Sequence, residues 1–448
     1  MGPWLRPLGN IVMTLVPPLH GDAASAAFEQ RVYAKVTRRA LPLLFLCYIL
    51  AYLDRVNVGF AKLQMVGDLK FSESVYGLGA GVFFIGYFLF EIPSNLILHR
   101  VGARRWIARI LVTWGLASAA TMLVSTPLMF YVMRFLLGVA EAGFFPGAIL
   151  YLTYWFPAAR RGRITALLML AVPLAGVVGG PLSGWILQNL DGAHGLSGWR
   201  WMFLIEGLPS ILVGAIVFFA LEDNIEKAGW LSVGEKKLLA DNLAADHVAH
   251  ASHSFRDAMR DAKVWVLCLV YFGIVMGLYG VGFWLPTLVQ ATGVGRPLDI
   301  GLLSAAPYAV ASVAMLLGGI SADKYRERRW HLALPCALGA VGLVASGLFA
   351  ADTATALIAL TVASAGTMTA LPLFWSCPTA FLRGVAAAGG IALINSVGNL
   401  AGFASPYMVG FIKDQTQRAD YGLYALALFM AMSAMLVIVA IPSRLVDR

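Results

Sequence analysis

Residues 134–146 of this 448-residue chain read RFLLGVAEAGFFP, which places an arginine and a glutamate inside an otherwise apolar segment. Seven residues of an α-helix turn through about 700°, so Arg134 and Glu141 would lie on one face, roughly 10.5 Å apart along the helix axis. Ionisable residues within an apolar helix are costly and usually face a cavity or the interior of a helix bundle. The stretch therefore predicts a buried, charged site.

Composition indicates the class of protein to which this stretch belongs. Hydrophobic residues make up 59% of the chain, charged residues make up 13%, and the mean hydropathy is +0.76. Soluble domains carry about a quarter charged residues, so the sequence predicts an all-α membrane protein that crosses the bilayer many times. The four cysteines fall singly within apolar segments, which predicts packing roles and neither a disulfide framework nor a zinc site.

Twelve apolar runs are long enough to cross a bilayer as helices, which takes about 20 residues each. They form two groups of six, at residues 40–63, 75–98, 104–124, 128–154, 163–189 and 201–221, and then at 262–290, 300–321, 331–350, 354–376, 385–412 and 421–441. We therefore expect a disordered tail at 1–27, a six-helix bundle at 28–221, a cytoplasmic linker at 222–261, and a second six-helix bundle with a short tail at 262–448.

Lys and Arg residues are concentrated in the loops on one side, and cytoplasmic loops are the ones enriched in these residues. If both termini are cytoplasmic, 25 of the 33 basic residues lie inside. Two lie in the membrane, Arg55 and Arg134, and six lie outside, namely Lys62, Lys70, Arg200, Arg296, Lys413 and Arg418. The net charge of +9 is thus interpreted as a topology signal, and nucleic-acid binding is not expected.

The two halves of the chain resemble each other. The loop RVGARRW at 100–106, after the second predicted helix, recurs as KYRERRW at 324–330 after the eighth, an offset of 224 residues. Parallel repeats around a central cavity, with the substrate near the bilayer midplane, are typical of many secondary transporters.

Several motifs carry a family resemblance over about residues 28–441. The loop GGISADKYRERR at 318–329 resembles the cytoplasmic signature of the major facilitator superfamily. More specific are YLDRVNVGFA (52–61), FLFEIPSNLIL (88–98), RFLLGVAEAGFFPGAI (134–149), WRWMFLIEGLP (199–209) and INSVGNLAGFASP (394–406). Together these resemble the anion:cation symporter family, and within it the bacterial tartrate, phthalate and hydroxyphenylacetate transporters. The resemblance implies the twelve-helix fold of that superfamily and the transport of organic carboxylates.

The first and fourth predicted helices supply the candidate site. Given the predicted topology, Asp54, Arg55 and Arg134 lie in the outer half of the bilayer and Glu141 lies nearer its middle. We expect one cluster in which the two arginines bind a carboxylate substrate through their planar guanidinium groups. A buried carboxylate beside an arginine can exchange a proton for an ion pair, so Asp54 and Glu141 are the candidates for proton coupling. The alternative is that Asp54, Arg134 and Glu141 form permanent pairs that hold the helices together.

The family resemblance implies the same roles for the arginine of the first helix and for the arginine and glutamate of the fourth. It also implies polar and aromatic cavity walls, although a packing role is the alternative for each of these residues: Tyr52, Tyr87, Trp375, Ser376 and Asn395.

Other charged residues are assigned gating or structural roles. Glu91 would lie near the cytoplasmic end of helix two, within reach of loop arginines, and Glu206 near the outer start of helix six, beside Arg200. The remaining residues of this group are Arg104, Arg105, Asp323 and Arg328. The linker histidines His247, His250 and His253 lack further ligands and no phosphate-binding loop or catalytic motif is present, so no metal, cofactor or enzymatic activity is expected.

The sequence thus predicts a monomeric inner-membrane transporter that imports an organic carboxylate by proton symport, with sodium as an alternative coupling ion. A proton-coupled drug or metabolite exporter is the second possibility, suggested by the glycines that flank Pro181 in helix five. A non-transporting membrane sensor or membrane enzyme is the third.

Overall fold

The computed structural model describes residues 23–247, 260–381 and 385–441. The first half contains α1 (Ala23–Val56), α2 (Val58–Leu69), α3 (Glu73–Val101), α4 (Ala103–Ala120), α5 (Pro127–Glu141), α6 (Phe144–Thr153), α7 (Ala158–Met169), α8 (Ala171–Asn189) and α9 (Gly198–Ala220). Short 3-10 helices lie at Thr121–Leu123 and Ala193–Gly195. The linker contains α10 (Val233–His247), and the second half contains α11 (Ala262–Ala291), α12 (Pro297–Tyr325), α13 (Arg329–Leu348), α14 (Thr353–Phe381), α15 (Val385–Thr416) and α16 (Asp420–Ala440).

The described helices have the length and hydropathy of a membrane protein. Eleven stretches are long and apolar enough to cross a bilayer, and three of them combine consecutive helices: α1 with α2, α5 with α6, and α7 with α8. A further long helix, α15, packs against α3 and α11. The predicted all-helical membrane fold is therefore confirmed.

The two halves contact each other most extensively through three pairs of described helices: α2 with α11, α3 with α15, and α8 with α12. Small residues allow helix backbones to approach closely. A Cβ atom added at Gly77 of α3 would lie 2.4 Å from the carbonyl oxygen of Pro406, and one added at Gly184 of α8 would lie 2.5 Å from that of Pro297. Glycine at these positions is what permits the halves to pack this tightly.

The predicted span over 128–154 is present, but it is not one continuous helix, because α5 ends at Glu141 and α6 begins at Phe144. Gly143 between them has a φ of +85°, which side chains with a Cβ rarely adopt. The first span is also interrupted, at Asn57 between α1 and α2. Hydropathy averaged over a whole span does not detect these interruptions, because each span stays apolar overall although Arg55 and Glu141 lie beside the breaks.

The start of the described chain and the linker both contain helix that was not predicted. Helix α1 begins at Ala23, within the segment expected to be a disordered tail, and the rest of that segment, with the tail at 442–448, lies outside the described residues. The linker contacts the first half: Glu235 of α10 pairs with Lys35 at 2.8 Å, and Trp230, before α10, stacks on Trp155. The Lys35 hydrogen bond lowers the pKa of the Glu235 carboxyl. Of the linker histidines, His250 and His253 lie outside the described residues.

Candidate functional site

The centre of the site is an ion pair between the ends of two helices. Arg55, near the end of α1, donates from Nη2 to Oε1 of Glu141, the last residue of α5. Its Nη1 donates to the hydroxyl oxygen of Tyr279 on α11, at 2.6 Å. The guanidinium also lies 5.3 Å from the centroid of the Phe83 ring and 5.5 Å from that of Tyr87. Arg55 therefore joins the two halves of the molecule within an aromatic enclosure.

Arg134 lies beside this pair and is completely buried. Its Nη2 donates to the backbone oxygen of Arg55 at 3.1 Å, and its guanidinium lies 5.3 Å from the centroid of Phe83. Its Nε and Nη1 atoms have no hydrogen-bond partner in the described part of the chain, and neither does Oε2 of Glu141. Because buried polar groups are nearly always hydrogen-bonded, these unpaired atoms mark a place for a polar ligand or water.

Asp54 does not join this cluster, so the prediction of a cluster of four charges is wrong. Its carboxylate accepts hydrogen bonds from Trp114 Nε1 at 3.0 Å, Ser118 Oγ at 2.7 Å and Ser210 Oγ at 2.8 Å, donors that lie on α4 and α9. The adjacent side chains of Asp54 and Arg55 leave α1 in different directions, and Asp54 points into the first bundle. It is fully buried with neutral partners and makes no ion pair among the described residues.

Glu91 joins the two halves as well, although its partners are not the loop arginines that were predicted. Its two carboxylate oxygens accept hydrogen bonds from Asn395 Nδ2 at 2.6 Å and Asn399 Nδ2 at 3.0 Å, both on α15. The predicted cavity-wall residue Asn395 thus has its amide bound to Glu91 in this conformation. Of the other predicted wall residues on the first half, Tyr87 lies next to Arg55, and the buried Tyr52 hydroxyl has no partner among the described residues.

The two predicted cavity-wall residues on α14, Trp375 and Ser376, lie in surroundings that differ from each other. Trp375 packs against Tyr271 and Phe374, with ring centroids 5.0 and 5.5 Å away. The hydroxyl of Ser376 donates to the backbone oxygen of Leu373 at 2.6 Å, within its own helix. That hydrogen bond is a local structural contact, whereas Trp375 is part of an aromatic wall.

The loop residues assigned gating roles are spread along the basic side of the molecule. The backbone nitrogen of Arg104 donates to Asp223 at 3.0 Å, and Arg328 donates to the backbone oxygen of Ser376 at 3.5 Å. Arg105 and Asp323 are exposed. Arg328 thus connects the loop between α12 and α13 to α14, and Arg104 connects α4 to the segment that follows α9.

Glu206 is not beside Arg200, contrary to the prediction. The arginine donates to the backbone oxygen of Met122, while Glu206 accepts hydrogen bonds from Ser183 Oγ at 2.6 Å and Asn57 Nδ2 at 3.0 Å. The carboxylate therefore connects α9 to α8 and to the interruption of the first span.

Sequence reasoning missed Tyr279, although a usable signal existed. Tyr279 lies 224 residues after Arg55, which is the offset that relates the two basic loops. Applying that offset to each charged residue of the first half would have identified Tyr279 as the residue in the equivalent position of the second half. The neutral donors to Asp54, and Asn399, left no comparable signal.

Charged residues at the ends of α2, α3 and α15 form a second contact between the halves, which we call the outer latch: Lys62, Glu73, Lys413 and Asp414. Glu73 pairs with Lys62 at 2.7 Å and with Lys413 at 2.6 Å. Asp414 accepts from the backbone nitrogens of Glu73 and Ser74 at 3.1 and 2.8 Å. In the topology predicted from the basic residues, this end of the molecule lies outside, and the halves are in contact there.

Comparison with known proteins assigns the chain to a family. Residues 44–406 match the family described as Major Facilitator Superfamily. NicT of Pseudomonas putida, provisionally named a metabolite transport protein, is 49% identical over 93% of this chain and 96% of its own. A protein of Agrobacterium vitis, provisionally named a tartrate transporter, is 50% identical over 92% and 95%. A quinolone resistance transporter of Acinetobacter baumannii is 42% identical over 90% and 93%.

A solved structure shows the same fold. The crystal structure of a bacterial homologue of the human lysosomal transporter Spinster has a TM-score of 0.73 at 18% identity and covers 91% of this chain and 97% of its own. The family match, these relatives and this fold are those of transporters, not enzymes. The chain belongs to the Major Facilitator Superfamily and is a multi-pass membrane transporter.

Proposed function

We propose that this transporter imports an organic carboxylate together with protons, by alternating access of one site to the two sides of the membrane. One observation carries the proposal: Arg55 is shared between Glu141 of the first half and Tyr279 of the second, beside a buried Arg134 with two unpaired guanidinium nitrogens. A site between the halves is where alternating access requires the substrate to bind.

The charges at this site favour an anion. The cluster contains two arginines and one carboxylate, so its net charge is +1 when Glu141 is ionised and +2 when Glu141 is protonated. A dicarboxylate such as tartrate or phthalate would neutralise the protonated site, and guanidinium groups bind carboxylates through paired hydrogen bonds. The naming of an A. vitis relative as a tartrate transporter supports this substrate class.

Coupling to protons follows from competition for Arg55. Glu141 occupies one side of this guanidinium, and a substrate carboxylate would seek the same donors. Protonation of Glu141 removes its charge and frees Arg55 for the substrate, whereas loss of the proton restores the ion pair and displaces the anion. Asp54, which has only neutral partners, is the second proposed proton carrier.

The test begins with purified protein. A thermal-shift screen against organic acids identifies the anion that binds, and uptake of that anion into proteoliposomes is then measured with an inward proton gradient, an inward sodium gradient or neither. Of these three conditions, we expect the anion to accumulate only under the proton gradient. Accumulation that requires sodium would contradict proton coupling, and the absence of both binding and flux for every acid would contradict the substrate class.

A second candidate function is proton-coupled export of a drug or metabolite. The observation in its favour is the similarity to a relative named as a quinolone resistance transporter. The direction of proton flow separates the two functions: adding the substrate outside acidifies the lumen in symport, whereas an exporter releases lumenal protons as it takes up drug in inverted vesicles. The bacterial relatives favour the inner membrane as the location for either function, and we expect the transporter to act as a monomer.

A further inference from the structure

We propose that Glu206 is a third proton-binding carboxylate of the transport cycle, linked to Asp54 through one face of α9. The inference deepens the proposed function and rests on it for its place in the cycle. Glu206 is 1% exposed and accepts hydrogen bonds from Ser183 Oγ at 2.6 Å and Asn57 Nδ2 at 3.0 Å. Among the described residues it has no cationic partner, so nothing offsets the cost of a buried negative charge.

Helix α9 brings the two carboxylate networks together. Ser210 lies four residues after Glu206, on the same face of the helix, and donates to Asp54 at 2.8 Å. Asn57, which donates to Glu206, lies three residues after Asp54, at the interruption between α1 and α2. One turn of α9 therefore carries both Glu206 and Ser210, the hydroxyl donor to Asp54. A change of protonation at either carboxylate would alter the hydrogen bonds that connect α9 to the chain between α1 and α2.

A small cavity between the halves adjoins this network. Asn57 and Ser183 line it from the first half, and Pro286 and Tyr308 line it from the second. Asn57 is 2% exposed, and its Oδ1 atom has no hydrogen-bond partner in the described part of the chain. A half-turn of the amide exchanges the donor Nδ2 for the acceptor Oδ1, so Asn57 can serve both the ionised and the protonated form of Glu206.

The charged groups around Glu206 have partners elsewhere. Asp54 is the titratable group that faces it from α1, and α8 carries no charged residue. The nearby charged residues of α2, α4 and α9 make contacts away from it: Lys62 pairs with Glu73, Asp68 accepts from Trp199, Arg109 lies over Trp106, and Arg200 donates to Met122. Glu206 and Asp54 therefore form an acidic pair without a fixed counter-ion, in which binding a proton removes the buried charge.

The first experiment needs no substrate. Infrared spectra of the purified full-length protein are recorded across a pH titration, and the carbonyl stretch of protonated carboxyl groups is followed. We expect Glu206→Gln to lose one of the carboxyl bands that remain near neutral pH, whereas Glu235→Gln, which removes an ion-paired carboxylate of the linker, leaves the bands at that pH unchanged. A spectrum of Glu206→Gln identical to that of the wild type would overturn the inference.

Ser183→Ala keeps the Glu206 carboxylate but removes one of its hydrogen-bond donors. It is the variant to measure if Glu206→Gln does not fold. Because the frequency of a carboxyl band depends on its hydrogen bonds, we expect this variant to shift the band assigned to Glu206. An unshifted spectrum would overturn the inference in the same way. These readouts are independent of any transported acid, so failure of the proposed function and failure of this inference can be distinguished.

The second experiment measures the number of protons that accompany each anion, from the membrane potential at which net flux reverses in proteoliposomes. We expect Glu206→Gln to exchange substrate and to carry one proton fewer per anion than the wild type. Retained exchange with an unchanged proton count would overturn the role of Glu206 in the cycle.

Discussion

At the scale of single residues, Arg134 is the feature that most needs a functional explanation. An arginine without a counter-ion in a membrane interior is costly, and this one is fully buried with two unpaired nitrogens. Glu141 is held by Arg55, so the described structure supplies no carboxylate for Arg134. A bound anion would supply the missing partner.

Replacing Arg134 with alanine is expected to weaken binding of the carboxylate about thirtyfold or more. Loss of one member of a buried charged pair costs roughly 2–5 kcal/mol, and each 1.4 kcal/mol is about a factor of ten in Kd. Arg134→Lys keeps the charge without the planar fork and should bind with intermediate affinity. Titration calorimetry measures both. Unchanged affinity with a lower unfolding temperature would instead assign Arg134 to holding the helices together.

Replacing Glu141 with glutamine imitates its protonated form permanently. We expect this variant to exchange labelled substrate across the membrane and to lose accumulation driven by a proton gradient, because Arg55 no longer alternates between two carboxylates. Counterflow and gradient-driven uptake in the same proteoliposomes separate the two activities. Normal accumulation would remove Glu141 from the coupling scheme.

At the scale of secondary-structure elements, interrupted helices place the charged groups. Glu141 is the last residue of α5, and Arg55 precedes the interruption at Asn57 by two residues. Interrupted spans are tolerated where they are buried in protein or line a cavity, and transporters often bind ligands there. The Gly143 turn fits closely against α3, because an added Cβ would lie 2.4 Å from Ser94 Oγ.

Gly143→Ala tests whether this turn is required. We expect a loss of stability of about 1–2 kcal/mol from the left-handed backbone conformation, increased by the contact with Ser94, and a lower unfolding temperature in detergent. Gly162→Ala in α7 is the matched control, because nothing lies within 4 Å of its added Cβ. It should be neutral or stabilising by up to about 1 kcal/mol. Equal effects of the two substitutions would contradict the argument.

At the scale of the whole molecule, the two halves are joined at three levels by polar contacts. The outer latch joins α2 and α3 to α15, Arg55 joins α1 to Tyr279, and Glu91 joins α3 to Asn395 and Asn399. Alternating access requires each of these to break and reform. Lys62, of which 4% of the side chain is exposed, is the most buried cation of the latch.

Glu73→Gln is expected to favour separation of the outer ends. Because the Glu73 side chain is 21% exposed, we expect a cost between those of exposed and buried pairs, roughly 1–2 kcal/mol, which would change the ratio of closed to open molecules by about tenfold. Spin labels at Ser125 and Ala351, which are exposed in outer loops of the two halves, report the separation by pulsed electron resonance.

Asp299→Asn is the matched control for the latch. It breaks the Arg296–Asp299 pair, which lies at the start of α12 and whose side chains are 67% and 43% exposed. Exposed pairs contribute little, so the distance distribution should not change. A distribution for Glu73→Gln equal to that of this control would show that the latch does not hold the outer end closed.

The sequence predicted the class of protein, the apolar runs and the two charges on the fourth span, because hydropathy and helical periodicity are local properties. The 224-residue repeat also contained the position of Tyr279, although only the structure identified it as the partner of Arg55. Asp54 shows the limit of such reasoning. Its neighbour in the sequence is Arg55, yet its hydrogen bonds come from α4 and α9.

By itself, the sequence determined that this chain is an all-helical membrane protein with buried charges at Arg134 and Glu141, since an apolar helix containing those residues has few stable surroundings other than a bundle interior. The tertiary structure alone decided which groups meet. Glu73 and Lys413 are 340 residues apart, and Glu91 and Asn395 are 304 apart. Such partners are selected by the packing of whole helices against one another, and no local pattern along the chain records that packing.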